Sequence, residues 1–251
     1  MRWLIALLVL TAPSAAADEE AHHIAFSEGR YSEAASVANQ TQTPDNLAFA
    51  ARSLLAEAIS TPDFIPSPVL LDQAQLLAEE ALAEAPHHIE ARLQLAIALS
   101  LKTRPMSMRA IRKSGYGDRA KDLVDSVLVD EPSNTYAHGF LSVWHIEVRR
   151  RGGAIGASIM GASVKHARQH YQAAVKLDPD DASVHWQYAR ALTSLNAKKY
   201  REDIDQALAK AALCSSNSAL EDVMKSRAAK LQAALGTKTR KEIEALASEM
   251  L

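Results

Sequence analysis

The feature that most limits what this chain can fold into is a helix-stopping proline that recurs behind the same pattern of side chains. In residues 164–192, VKHARQHYQAAVKLDPDDASVHWQYARAL, one helix-forming run closes at Asp178-Pro179 and a second opens behind it. Proline has no N–H and drives the preceding residue out of the helical region, so propagation stops there. Twelve, eight and five residues before Pro179 stand Ala167, Tyr171 and Ala174; the same offsets from Pro86 give Ala74, Ala78 and Ala81, and from Pro132 Ala120, Val124 and Val127. Each triple falls at i, i+4, i+7 on one helical face, where small residues let two backbones approach. A helix-forming run follows each proline: DNLAFAARSLLAEA after Pro44, HHIEARLQLAIAL after Pro86, SNTYAHGFLSVWH after Pro132 and DDASVHWQYARAL after Pro179. Asp45, Ser133 or Asn134, and Asp180 or Asp181 are the expected N-caps.

These residues resemble the tetratricopeptide repeat (TPR), a two-helix unit with an alanine, an aromatic and an alanine in its second helix and a proline at its end. Gly29-Arg30-Tyr31 with Ala34 and Ala35 resembles the same family's turn into the second helix. The prolines lie 42, 46 and 47 residues apart, against a usual unit of about 34. The surplus falls between the helices of each pair, in STPDFIPSP, KTRPMSMRAIRKSGYG and RRRGGAIGASIMGAS. Where the family carries a glycine in its first helix this chain has Ala96, Ser142 and Ala189, which are also small. The resemblance implies an all-α, right-handed α-solenoid of antiparallel helix pairs, with about five pairs and a capping helix at the C-terminal end. TRKEIEALASEML, with Thr239 as N-cap and Glu242 three residues on, has the capping-box pattern expected of that last helix.

The beginning of the chain reads as a secretory signal peptide over residues 1–17. Arg2 precedes the apolar run WLIALLVL, too short to span about 30 Å of hydrocarbon, and Ala15-Ala16-Ala17 offers an A-x-A cleavage site. The expected organisation is therefore a signal peptide, 1–17, followed by one solenoid domain, 18–251, in a periplasmic or secreted protein. The 28 basic and 30 acidic residues nearly balance, which gives no reason to expect nucleic acid or a strongly charged partner. Cys214 is the single cysteine, so no intramolecular disulfide can form, and it reads as an inert buried thiol.

In a solenoid of this kind the first helix of each pair lines the concave side. If the resemblance holds, positions four, seven, eight and eleven after each proline point there: Glu90, Leu93, Gln94 and Ile97; Tyr136, Gly139, Phe140 and Val143; Ser183, Trp186, Gln187 and Arg190. Tyr136, Phe140, Trp186, Gln187 and Arg190 are the expected groove residues for a protein or peptide partner, the last three placing an aromatic, an amide and a guanidinium together. A small ligand enclosed beside Trp186, in an auxiliary of an envelope transporter, is the alternative. Neither reading needs a cofactor.

Catalysis is not expected. His145 and Glu147, two apart on a helix, face different ways. His166 and His170 have the i, i+4 spacing of a shared metal, but Ala167 stands where a zinc protease has glutamate, and no third ligand can be picked out. His138 and His185, each six residues after its proline, are expected to pack against the preceding helix. Arg149-Arg150-Arg151 and the apolar, glycine-containing stretch behind them fit a lid, a partner contact, a membrane-surface contact or a backward extension of the next helix buried against 105–130; the backward extension is the expectation.

Overall fold

The computed structural model describes residues 15–251. The apolar run assigned to a signal peptide lies outside the described residues, and Ala15–Ala17 form the start of the first helix. All regular structure among the described residues is helical: α1 (Ala15–Ser27), α2 (Tyr31–Ala38), α3 (Pro44–Ser60), α4 (Pro68–Glu84), α5 (Ile89–Lys102), α6 (Met108–Ser114), α7 (Tyr116–Asp130), α8 (Thr135–Ile159), α9 (Val164–Leu177), α10 (Ala182–Asn196), α11 (Arg201–Leu213), α12 (Ala219–Thr237) and α13 (Arg240–Glu249), with one 3-10 turn, Asn39–Thr41, after α2.

The proline-anchored pattern positions the pairs. Ala74, Ala78 and Ala81 on α4, Ala120, Val124 and Val127 on α7, and Ala167, Tyr171 and Ala174 on α9 are all buried. They pair α3 with α4, α5 with α7 and α8 with α9, alongside α1 with α2 and α10 with α11. Ala96, Ser142 and Ala189 are fully buried where the first helices pack. The N-caps are Asn134 for α8 and Asp181 for α10, each accepting from backbone N–H groups of its first turn. For α3 the cap is Thr43, one residue before Pro44; Asp45 sits inside the first turn, because proline itself takes the first helical position.

A second regularity follows each proline. The sixth residue after it donates back to a carbonyl of the turn: Arg92 Nη2 to His87 O at 2.6 Å, His138 Nε2 to Pro132 O at 3.1 Å, and His185 Nε2 to Pro179 O at 3.1 Å. Each donor satisfies an acceptor that the broken helix leaves unpaired. His185 packs on the preceding helix, its Nδ1 accepting from the Tyr171 hydroxyl at 2.8 Å.

The arginine–glycine insertion extends the helix before it, not the one after. α8 runs on through Arg149–Arg151 and breaks at Gly153, whose φ of 64° and ψ of −160° lie where a side chain is strongly disfavoured. Arg151 donates to the Thr103 and Met106 carbonyls, which ties the insertion to the loop before α6. Behind the break Ala157 and Ala162 pack on Trp144, while Ile155 and Ile159 face solvent. The expected burial of these isoleucines against 105–130 does not occur.

The C-terminal helices do not simply cover the end of the stack. α12 reaches back to the first pairs: Ala219 lies against the α1–α2 turn at Gly29, and Arg227 donates to the carbonyls of Ile59, at 2.6 Å, and Thr61, at 3.0 Å, at the C-terminal end of α3. Phe64 receives the cations of Arg227 and Lys230 on its ring, 5.0 and 4.9 Å from its centroid. α13 begins with the expected Thr239–Glu242 capping box and then packs on α10. The cap is an inward-turned helix whose last residues enter the molecule.

Candidate partner-binding surface

Among the first helices α3 packs on α5 and α8 on α10, while α5 and α8 share a core cluster with α7; the expected groove residues lie on them in two groups with different fates. Around α10 the surface is filled by the chain itself. Trp186 is fully buried and donates its indole N–H to the Leu251 carbonyl at 3.0 Å; Arg227 Nη1 donates to the same oxygen at 2.9 Å. Arg104 Nη2 lies 3.0 Å from each of the carbonyls of Ser248, Glu249 and Met250, and Arg190 Nη1 is 3.5 Å from Ala247 O. Met250 and Leu251 are buried below them. The carbonyls at the end of α13 carry the negative end of its dipole, which explains why cations gather there.

Electrostatically this is an unusual interior. Burial, and then the charge of Arg190, pushes the Arg104 guanidinium down to about 9, and burial lowers Arg227 to about 10 and Arg190 in the same direction. Glu147 is the carboxylate of the cluster. Burial pulls its pKa upward, but Arg190, Arg150 and Arg104 outweigh that and hold it below the ordinary value. Arg150 pairs with Glu147 at 2.7 Å and Arg190 at 3.3 Å. Trp186 and Arg190 are therefore structural, and the expectation that they line an open groove is corrected; Gln187, half-buried, accepts from Arg190 Nε at 3.0 Å. The sequence offers no sign of this filling, since it depends on a segment more than fifty residues away.

The other group stays open. Tyr136 is 56% exposed, and burial around its hydroxyl, then the charges of Asp181 and Glu90, hold its proton on above the usual range against the opposing pull of Arg52. Arg52 on α3 pairs with Glu90 on α5 at 2.6 Å, and Gln94 donates to the same carboxylate at 2.9 Å. Phe140, one turn on from Tyr136, is half-buried beside Leu141 and Trp144. Gly139, by contrast, is a packing position: a Cβ there would come 3.3 Å from Val184, so it marks the close approach of α8 and α10. Arg52 is not among the residues expected from the sequence, yet it stands eight after Pro44, the spacing at which Gln94, Phe140 and Gln187 follow their own prolines.

Elsewhere, a shallow cleft of about 630 Å³ lies between the starts of α9 and α11, lined by Lys165, Arg168, Tyr200 and Asp203 among others. Arg168 and Asp203 bridge it at 2.6 Å. Cys214 is buried with its thiol pushed up, chiefly by burial, and donates to Lys210 O at 3.3 Å, in keeping with an inert thiol. No helix among the described residues is long and apolar enough to cross a membrane.

No protein-family model matches the sequence, and a search of curated proteins finds no match. Among solved structures, the chain is similar to the crystal structure of TTC0263, a thermophilic TPR protein of Thermus thermophilus, at a TM-score of 0.56 and 17% identity, over 85% of this chain and 95% of that one. The likeness concerns the fold: paired helices stacked as a TPR solenoid.

Proposed function

We propose that this protein is an exported, non-catalytic scaffold that binds a protein or peptide through the open part of its inner helical layer, around Arg52, Glu90, Tyr136 and Phe140. The observation that carries the reading is Tyr136. It is a large aromatic left exposed on α8, where Phe140 is half-buried and Trp144 buried, and it lies within electrostatic reach of Arg52 and of the carboxylates of Asp181, Glu90 and Asp178. A tyrosine offers wide contact area and a polar tip at low entropic cost, while paired charges and amides select main-chain groups of an extended segment. TPR-like solenoids generally serve as protein-binding scaffolds, and their stacked first helices supply such surfaces. The small-ligand alternative rested on a pocket beside Trp186, and Leu251 occupies that place.

Export is supported by the residue pattern at 1–17, with a cleaved N-terminus near Asp18. Cell fractionation with N-terminal sequencing tests it: full-length protein in the cytoplasmic fraction refutes it. The binding surface is tested by affinity capture from an envelope extract with the wild type, Tyr136→Ala and Arg52→Ala, all checked for helix content. A protein retained by wild type and lost from both folded variants supports the reading. A partner retained equally by all three moves the site elsewhere.

A further inference from the structure

Two acid-free stretches of the chain meet at the far end of α8. Residues 91–117 and 148–177 each hold six basic residues and no acidic one, in a chain whose charges nearly balance as a whole. Arg151 donates to the carbonyls of Thr103 and Met106, and a Cβ on Gly152 would stand 3.9 Å from Met108 Cε, so α6 starts against the break in α8.

Arg104, Arg150 and Arg151 are engaged within the molecule. Arg109, Arg112 and Lys113 on α6 and Arg149 on α8 are not, and none of these four has an ion-pair or side-chain hydrogen-bond partner among the described residues. The three on α6 fall at i, i+3 and i+4, on one face, and are exposed, while Met108 and Ile111 point elsewhere and are half-buried. The carboxylates of the neighbouring α7 offset this charge only in part: Asp118 and Asp122 are exposed, and Asp125 is paired with Lys121.

The apolar part of the same end is equally uncovered. Behind Gly153 the chain rests on Trp144 through Ala157 and Ala162, and its other side projects: Ile155 and Ile159, four apart on one helical turn, are 77% and 74% exposed. A single exposed isoleucine is ordinary. Two on one turn, beside four unpaired cations, give the combination that interfacial segments use, apolar side chains to enter the acyl boundary and Lys or Arg to meet anionic headgroups. A folded protein partner needs a groove or fixed charge pairs to register on, whereas here the isoleucines project and the cations are long, unpaired side chains. A lipid surface is fluid and adapts to both.

We infer that this end of the molecule is a contact for an anionic bilayer surface, with Ile155 and Ile159 entering the boundary between headgroups and acyl chains and Arg109, Arg112, Lys113 and Arg149 lying at the level of the lipid phosphates. The contact is peripheral: its strength is the sum of a small apolar area and a few charges, so it is reversible and sensitive to salt.

The test is co-sedimentation of residues 15–251, the whole described fold without the apolar run ahead of it, with vesicles of phosphatidylcholine plus phosphatidylglycerol and with vesicles of phosphatidylcholine alone. Binding to the anionic vesicles is expected to be at least about tenfold tighter, and to be released as salt rises from about 0.1 to 1 M, where the screening length falls from about 10 to 3 Å. Ile155→Asn/Ile159→Asn and Arg109→Gln/Arg112→Gln/Lys113→Gln, all at exposed positions and checked for unchanged helix content, should each weaken it by roughly tenfold or more. Val129→Asn/Leu213→Asn, which removes two exposed apolar side chains from other helices, should bind as wild type. Failure to bind anionic vesicles, equal binding to both kinds, or binding that either set of variants leaves unchanged overturns the assignment. Self-association of the wild type without lipid, abolished by Ile155→Asn/Ile159→Asn, would also overturn it and give the face to a second copy of the chain.

Discussion

Trp186 donates its indole N–H to the carbonyl oxygen of Leu251 at 3.0 Å, across 65 positions of sequence, and this bond closes the inner layer of the solenoid over its own last residues. Trp186→Phe keeps most of the apolar contact but removes the donor. Because Arg227 still reaches the same oxygen, the loss is that of one buried hydrogen bond plus a small cavity, about 1–3 kcal/mol. Removing residues 248–251 takes away the three acceptors of Arg104 and one of the three of Arg227, together with the buried Met250 and Leu251, and should cost more than Trp186→Phe. Urea unfolding of the three proteins gives the order wild type, Trp186→Phe, truncation; a truncation as stable as wild type would show that the segment is not part of the core.

Glu147 sits among arginines, and its removal should be felt as unpaired positive charge. Taking one partner from a buried pair costs about 3–5 kcal/mol; the Glu147 side chain is 24% exposed, which places Glu147→Ala near the low end. Replacing both Glu147 and Arg190 with methionine should recover part of that loss, since the buried Arg190 charge goes with its partner and the charge left without a carboxylate, Arg150, is 28% exposed. A double-mutant cycle by chemical denaturation measures the coupling. Additive losses would mean that Arg190 is satisfied by Ala247 and Gln187 without Glu147.

The helix pairs were legible because their cause is local. Proline stops a helix wherever it stands, and the small residues at fixed offsets before Pro86, Pro132 and Pro179 name the packed face, which is buried at all nine positions. Exposure along the first helices was half legible. Tyr136, four residues after its proline, is exposed, whereas Trp186 and Arg190, seven and eleven after theirs, are covered because α13 returns from far along the chain. His145 and Glu147 face different ways, as two residues apart on a helix must, and each joins a cluster assembled from other helices. His145 meets His166 and His170 on α9; Glu147 meets Arg104 and Arg190. Periodicity reports which face a residue occupies, not what arrives opposite it.

Acid should loosen the fourth and fifth pairs before carboxylates titrate fully. His185 is fully buried, and burial lowers its pKa from 6.5. Below that ordinary value the unfolded chain takes up a proton that the folded chain refuses, so stability is full above pH 6.5 and falls as the pH drops below it. Its Nδ1 accepts from Tyr171, so protonation also turns that acceptor into a donor. Denaturant midpoints between pH 7.5 and 5 should decline, and His185→Gln, neutral throughout, should flatten part of the decline. An unchanged slope in a folded His185→Gln would assign the effect to other groups.

Gly29 tests whether the molecule is closed from its first pair to α12. Its φ of 81° alone makes alanine unfavourable there by about 1–2 kcal/mol. A Cβ would in addition stand 2.9 Å from Ala219 Cβ, a distance at which one backbone has to shift. Gly29→Ala should therefore cost more than the conformational term and should separate α12 from the α1–α2 turn, seen as faster amide exchange in α1, α2 and the start of α12. Ala219→Gly in the same background removes the clash and leaves the strained φ, so it should restore part of the stability and most of the protection. If Gly29→Ala costs only the conformational term and leaves exchange in α12 unchanged, the contact between the two ends is not maintained in solution.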